Sequence, residues 1–157
     1  SVCHGTGGQG AYGFPNLTDN DWLYGGSPEA ITHTLVNGRR GAMPAWGAVL
    51  GEDGVLDVAH YVRSMSGQEG VDAAAAERGQ TQYNTLCAAC HMPNGKGMQA
   101  LGAPNLTDNI WLYGGDLESV AHTIRAGRAG VMPAQKDLLS EDKIKLIAAY
   151  VYSLSNN

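Results

Sequence analysis

Ile144, Ile147, Ala148 and Val151 recur at the spacing that places them on one face of a helix. Ser140-Glu141-Asp142 opens that helix with a capping side chain and an acidic first turn. Val55 to Met65 reads as its counterpart earlier in the chain, and Asp72 to Leu86 is a further helix-forming run. Two shorter helices open at Ser27-Pro28-Glu29 and Asp116-Leu117-Glu118, and Gly38 and Gly127 sit where such helices end. Gly- and Pro-rich loops lie between, and Ser66 to Val71 reads as a linker. Every element that the pattern supports is helical, so the predicted fold is all-α.

The elements come in pairs because the chain repeats itself. Shifted by 89 positions, Pro15 to Gly26 (PNLTDNDWLYGG) matches Pro104 to Gly115 (PNLTDNIWLYGG) at 11 of 12 positions. The same shift pairs His33 with His122, Met43-Pro44-Ala45 with Met132-Pro133-Ala134, and Tyr61-Val62 with Tyr150-Val151. Upstream the shift drops to 87, pairing Cys3-His4 with Cys90-His91, so the second copy carries two extra residues in the intervening loop. Two domains are expected, residues 1–67 and 72–157. The first lacks a counterpart of Asp72 to Leu86, so the natural protein is expected to extend upstream, and the position matching Cys87 falls just before Ser1.

Composition narrows what such a pair can do. There are 157 residues with 10 Lys+Arg and 15 Asp+Glu, a net charge of −5 and a pI near 5.4, which argues against nucleic-acid binding. No segment approaches the roughly 20 apolar residues of a membrane span. With one Phe and 22 Gly, each small domain is short of large apolar side chains, a situation that metals, disulfides or large cofactors usually relieve. Three Cys make a poor disulfide framework.

Cys87-Ala88-Ala89-Cys90-His91 is the c-type haem attachment pattern. Residues three apart share a helical face, so two thiols can reach the two vinyl groups of one porphyrin, and the following His can bind iron from below. A zinc site would need further ligands at matching spacing, and a thioredoxin-like pair would need strand and helix alternation. The first copy offers Cys3 and His4. Either a Cys precedes Ser1 and attachment is ordinary, or haem hangs on Cys3 alone, or Cys3 is a free thiol and His4 a surface residue.

A low-spin electron-transfer haem needs a second axial ligand, and Met suits it by favouring ferrous iron. Met43 and Met132 are the candidates, since they alone among the Met residues superpose in the repeat. Met43 lies 39 residues after His4 and Met132 lies 41 after His91, a difference equal to the loop insertion. On this pairing, Met132→Ala leaves haem attached at Cys87 and Cys90 but lowers its potential. Met65 reads as core, Met92 adjoins His91 on the proximal side, and Met98 falls in the longer loop. His33 and His122 are alternative ligands or packing residues, and His60 reads as surface. Trp22 and Tyr24, with Trp111 and Tyr113, suit either a pocket wall bonding haem propionates or plain core packing. Arg39 and Arg128 suit either propionate pairing or solvated helix ends. Trp46 has no repeat partner, which makes it a candidate docking residue.

Taken together, the doubled PNLTDN and WLYGG blocks, Cys87 to His91, the Gly-Arg and Met-Pro-Ala loops and the ending AYVYSLS resemble tandem class I cytochromes c. They are most similar to the periplasmic dihaem part of subunit III of cbb3-type cytochrome c oxidases. The resemblance implies two covalent haem c groups, an electron relay from a donor cytochrome c toward the oxygen-reducing subunit, contact with other subunits, a periplasmic location and a membrane anchor upstream. Two departures stand out: the first attachment Cys is missing, and Met92 follows the His where the family usually has Gly. An independent soluble dihaem carrier, a dihaem peroxidase and a haem-based ligand sensor are the rival functions. No acid-base group is evident beside either Met loop, which argues against the peroxidase. Through residue 70 there are 3 basic and 7 acidic residues, and from residue 71 there are 7 and 8, so the first half is expected to dock a basic donor.

Overall fold

In the computed structural model, which describes residues 3–156, the elements run α1 (Pro28–Asn37), β1 (Arg39–Met43), α2 (Gly47–Met65), α3 (Ala73–Leu86), α4 (Ala88–His91), α5 (Leu117–Ala126), β2 (Arg128–Met132) and α6 (Glu141–Ser155). The helix starts follow the capping chemistry. Ser27 Oγ accepts from the Ala30 N–H, Asp116 from Ser119, and Asp72 from both Ala74 and Ala75. Gly38 and Gly127 end α1 and α5 with φ of 68° and 71°, a region that disfavours side chains. Ahead of Val55, α2 gains two turns that break at Gly51, where φ is 67°.

The all-α expectation needs one correction. Arg39–Met43 and Arg128–Met132, read as loops from the sequence, are strands that pair in a two-stranded sheet. Both are too short and too polar to show a two-residue alternation. Their conformation follows from the glycines before them. A Cβ on Gly38 would overlap the Met132 carbonyl, and one on Gly127 would overlap the Met43 carbonyl.

Contacts divide the chain into two compact units, Ser1–Gly41 with Gly130–Asn157, and Ala42–Ala129. Neither coincides with the stretches 1–67 and 72–157. In the first unit α1 packs on α6, burying Ile31, Leu35, Ile144 and Ala148, with Trp22, Met132, Leu139, Ile147 and Val151 against them. In the second unit α2 packs on α3 and α5, burying Val55, Val58, Ala59 and Val62 against Tyr83, Cys87, Val120, Ala121 and Ile124. Full burial of residues such as Val55 and Val58 is worth about 1.5 to 3 kcal/mol each. A connection of only a few residues between consecutive helices favours antiparallel neighbours, and Ser66 to Asp72 is such a connection. Helices α2 and α3 approach so closely that a Cβ on Gly79 would overlap the Asp57 carbonyl. Asp57, 7% exposed, accepts from Arg78 Nε at 2.9 Å and Nη2 at 2.6 Å. Among the described residues, no helix is long and apolar enough to cross a membrane.

Candidate functional site

The end of α3 and the single turn of α4 place the attachment motif. Cys87 N–H donates to the Tyr83 carbonyl at 2.8 Å, and Cys90 and His91 donate to the Cys87 carbonyl at 3.1 and 3.0 Å, which makes Cys87 to His91 one helical turn. Cys87 is buried and Cys90 exposed, and neither is in a disulfide. Burial, with Cys90 adding to it, pushes the Cys87 thiol up to about 11. Among the described residues no group of three or more His, Cys, Asp or Glu could hold a metal ion, which weighs against the zinc reading. Cys3 is exposed and adjoins half-buried His4. Ser1 and Val2, which precede Cys3, lie outside the described residues.

The strongest feature is shared by both repeats. His4 Nδ1 donates to the Pro15 carbonyl at 2.8 Å, and His91 Nδ1 donates to the Pro104 carbonyl at 3.1 Å. A ring fixed in this way keeps its Nε2 lone pair for a metal. Burial holds the His91 pKa below its usual value, although the Pro104 carbonyl opposes this, so the imidazole is neutral. The PNLTD blocks hold those carbonyls in place. Asn16 Oδ1 accepts from the Thr18 amide at 2.9 Å and hydroxyl at 2.8 Å, and Asn105 does the same with Thr107 at 3.0 and 2.8 Å.

The arginines that follow α1 and α5 are oriented by the same contacts in both repeats. Arg39 lies over the Tyr24 ring at 4.5 Å and donates Nε to Thr34 Oγ1 at 2.8 Å. Arg128 repeats this over Tyr113 at 4.2 Å and with Thr123 Oγ1 at 3.0 Å. These contacts fix both guanidinium groups against the protein. Arg128 Nη2 and Trp111 Nε1 are buried without a hydrogen-bond partner. Such orphaned donors are costly, and here they fit a group that brings anionic oxygens, as haem propionates do. The Cys pair, the fixed imidazoles and these donors therefore fit haem c.

The methionines are sorted by unit. Met43 packs against the cluster that contains Cys87, Val120 and Ile124, in the second unit. Met132 packs against the cluster of Ile31, Leu35 and Ile144, alongside Trp22, in the first. The units thus group Met43 with His91 and Met132 with His4, the reverse of the pairing expected within each repeat. Met65 packs against the second core. Met98 bridges Ala103, so the two extra residues fall inside the turn that follows it. Met92 is exposed with φ 65°. His33 and His122, the alternative ligands, are exposed on α1 and α5. His60, expected as a surface residue, accepts the Asp72 amide at 3.1 Å through Nδ1, and Trp46 packs on the second core. The carbonyls of Pro15 and Pro104, and the hydroxyls of Thr34 and Thr123, were not singled out as site atoms from the sequence. Their only signal there was recurrence in both copies.

The model of the family described as "Cytochrome C oxidase, cbb3-type, subunit III" matches residues 1–62 and 74–151. The chain is 48% identical over 160 residues to the cbb3-type cytochrome c oxidase subunit FixP of Azorhizobium caulinodans, covering 97% of this chain and 55% of that protein. It is 49% identical over 165 residues to FixP of Bradyrhizobium diazoefficiens, covering 97% and 56%. With subunit CcoP of Rubrivivax gelatinosus it shares 48% identity over 156 residues, covering 98% and 50%. The chain thus spans about half the length of the curated relatives it matches.

Proposed function

Because the chain belongs to the cbb3-type cytochrome c oxidase subunit III family, we propose that it is a dihaem c-type electron relay, passing electrons from a donor cytochrome c toward the oxygen-reducing subunit of a terminal oxidase. The repeated lock of His Nδ1 on a proline carbonyl carries this reading, because it prepares two imidazoles for iron. When bound, haem supplies a one-electron iron couple. The chain's own part is to attach, orient and tune. Cys87 and Cys90 hold one group covalently and Cys3 holds part of the other. His4 and His91 would hold the irons through their Nε2 atoms, with Met43 and Met132 as the thioether ligands. Arg39, Arg128, Trp22 and Trp111 would bond the propionates, with Tyr24 and Tyr113 stacked on the guanidinium groups. With a His and a Met holding each iron, no coordination position would be left for a substrate, which favours relay over peroxidase or ligand sensing. The relatives' greater length leaves room for a membrane anchor outside this chain, and the relay then works at the periplasmic face of the bacterial inner membrane. Intact mass under denaturing conditions tests the reading: the polypeptide plus two haems is expected. A single haem would withdraw it.

A further inference from the structure

We propose that the loop after β1 and the first turn of α2 form the docking surface for the electron donor, and that this donor is a lysine-rich one-electron carrier with an apolar contact centre. This deepens the relay reading above and rests on it. From Ala42 to Leu50 there are nine consecutive residues without a charged, hydroxyl or amide side chain. Ala42, Pro44, Ala45 and Ala48 are exposed, and Val49 is 67% exposed. A continuous apolar stretch left in water marks a contact site. The stretch is also held firmly from behind. Trp46 packs on the second core, its N–H donates to the Ile124 carbonyl at 2.9 Å, and its carbonyl accepts from Val49 and Leu50 at 3.0 and 2.9 Å. Gly47 lets α2 start close against α5, since a Cβ there would press on the Arg125 carbonyl at 2.9 Å. Met43, in the same loop, packs on the core that includes Cys87, so a carrier seated here is near that attachment site.

The rim selects the sign of the partner. Arg125 Nε donates to both Glu52 oxygens at 3.1 Å and Nη2 to Oε2 at 2.9 Å, Glu118 lies 3.7 Å from Nη1, and Arg78 is taken by Asp57. With exposed Asp53, four carboxylates stand against two guanidinium groups, a net charge of −2. No Lys or Arg occurs from residue 42 to residue 62. The equivalent stretch of the second repeat, residues 131 to 151, is different. There Gln135-Lys136-Asp137 replace Trp46-Gly47-Ala48, and Lys136, Lys143 and Lys145 balance Asp137, Glu141 and Asp142. Both loops carry Met-Pro-Ala, but the first alone is apolar at its centre and acidic at its edge. Specific protein contacts have this anatomy, with charge kept to the rim and residues such as Trp carrying much of the energy. A negative rim speeds encounter with a positive partner. On docking, one electron crosses: the donor's ferrous iron is oxidised and a ferric iron held by this chain is reduced, with no bond made or broken.

Stopped-flow reduction of the assembled, oxidised oxidase by a reduced lysine-rich c-type cytochrome, with oxygen excluded, tests the proposal. Val49→Lys should slow second-order reduction of the c-type haems by about 3- to 10-fold at low salt, and Val49→Ser by about 2- to 5-fold at every ionic strength. Leu138→Lys, at the equivalent exposed place in the second repeat, should leave the rate unchanged. Dithionite should reduce every variant to the same extent, as expected of intact haem sites. An unchanged rate in Val49→Lys, or equal slowing by Val49→Lys and Leu138→Lys, would overturn the proposal. Loss of the other subunits from purified Val49→Lys oxidase, with no change in donor rate, would give this face to a subunit and overturn it too. An unaltered oxidase that dithionite reduces and the carrier does not would instead sink the relay reading.

Discussion

At Met92 the backbone turns through φ 65° and ψ 154°, a conformation in which nearly every residue but glycine is strained, by about 1 to 3 kcal/mol. The first repeat has Gly5 at the equivalent place, with φ 76°. Tyr83 fixes the turn by donating its hydroxyl to the Met92 carbonyl at 2.8 Å. Met92→Gly should therefore stabilise the holoprotein by about 1 kcal/mol, after allowing for the entropy that glycine adds to the unfolded chain. Chemical denaturation checks this, with an unchanged or lower midpoint counting against strain. Arg128 offers a second test. If its buried Nη2 meets a propionate, Arg128→Leu removes a charge-assisted bond of about 1.5 kcal/mol, equivalent to at most ~60 mV for one electron. The potential of one haem should fall by ~20 to 60 mV in a spectropotentiometric titration, and no change would remove the propionate from this arginine. Ligand candidates such as His91 and Met132 could be read from the chain because their side chains carry the chemistry. The proline carbonyls that orient both imidazoles could not, since a backbone atom has no residue signature.

Helix boundaries follow the caps closely, which is why α1, α3 and α5 could be read with little error. Asp72 tests the local chemistry. The bond from the Ala75 amide, helped by that from Ala74 and by nearby His60 and Arg78, holds its carboxyl below the usual carboxylate range of about 3.8 against the opposing effect of burial. A depressed folded pKa means stability that is present above about 3.8 and is lost as the pH falls through the lower folded value. Asp72→Ala should lower the unfolding temperature at neutral pH, and the gap from the unaltered protein should close in acid. A gap that persists in acid would mean that the charge plays no part. Helix packing makes a different demand at Gly79, whose Cβ position is taken by the Asp57 carbonyl. Gly79→Ala should cost about 1 to 3 kcal/mol by forcing α2 and α3 apart, read as a fall in the denaturation midpoint. The strands escaped sequence reading for a related reason. They are five residues each, half of them exposed, and their extended form comes from the preceding glycines and from each other.

Across the molecule, the units redistribute charge. The unit of residues 42–129 holds five basic and nine acidic residues, net −4, and the other holds five and six, net −1. The acidic body is therefore the one with Cys87 to His91, rather than the first half of the chain as the linear count implied. If a basic donor docks there, Glu69→Lys with Glu77→Lys should slow its electron transfer by about 2- to 10-fold at low salt. The effect should fade as ionic strength rises, because exposed charges are screened beyond roughly 8 Å at physiological salt. Rates indifferent to both changes would place the donor elsewhere. The helices, the duplication and the haem-attachment chemistry were all legible in the linear order of residues, since periodicity, caps and CxxCH act over a few positions. The chain path was not. Two repeats that share their PNLTDN, WLYGG and Met-Pro-Ala blocks offer each Met loop and terminal helix two similar seats, and the shared residues cannot choose between them. The choice falls to the short Ser66–Asp72 connection and to contacts such as Asp57 with Arg78, which join residues distant in sequence and exist only once the helices have packed.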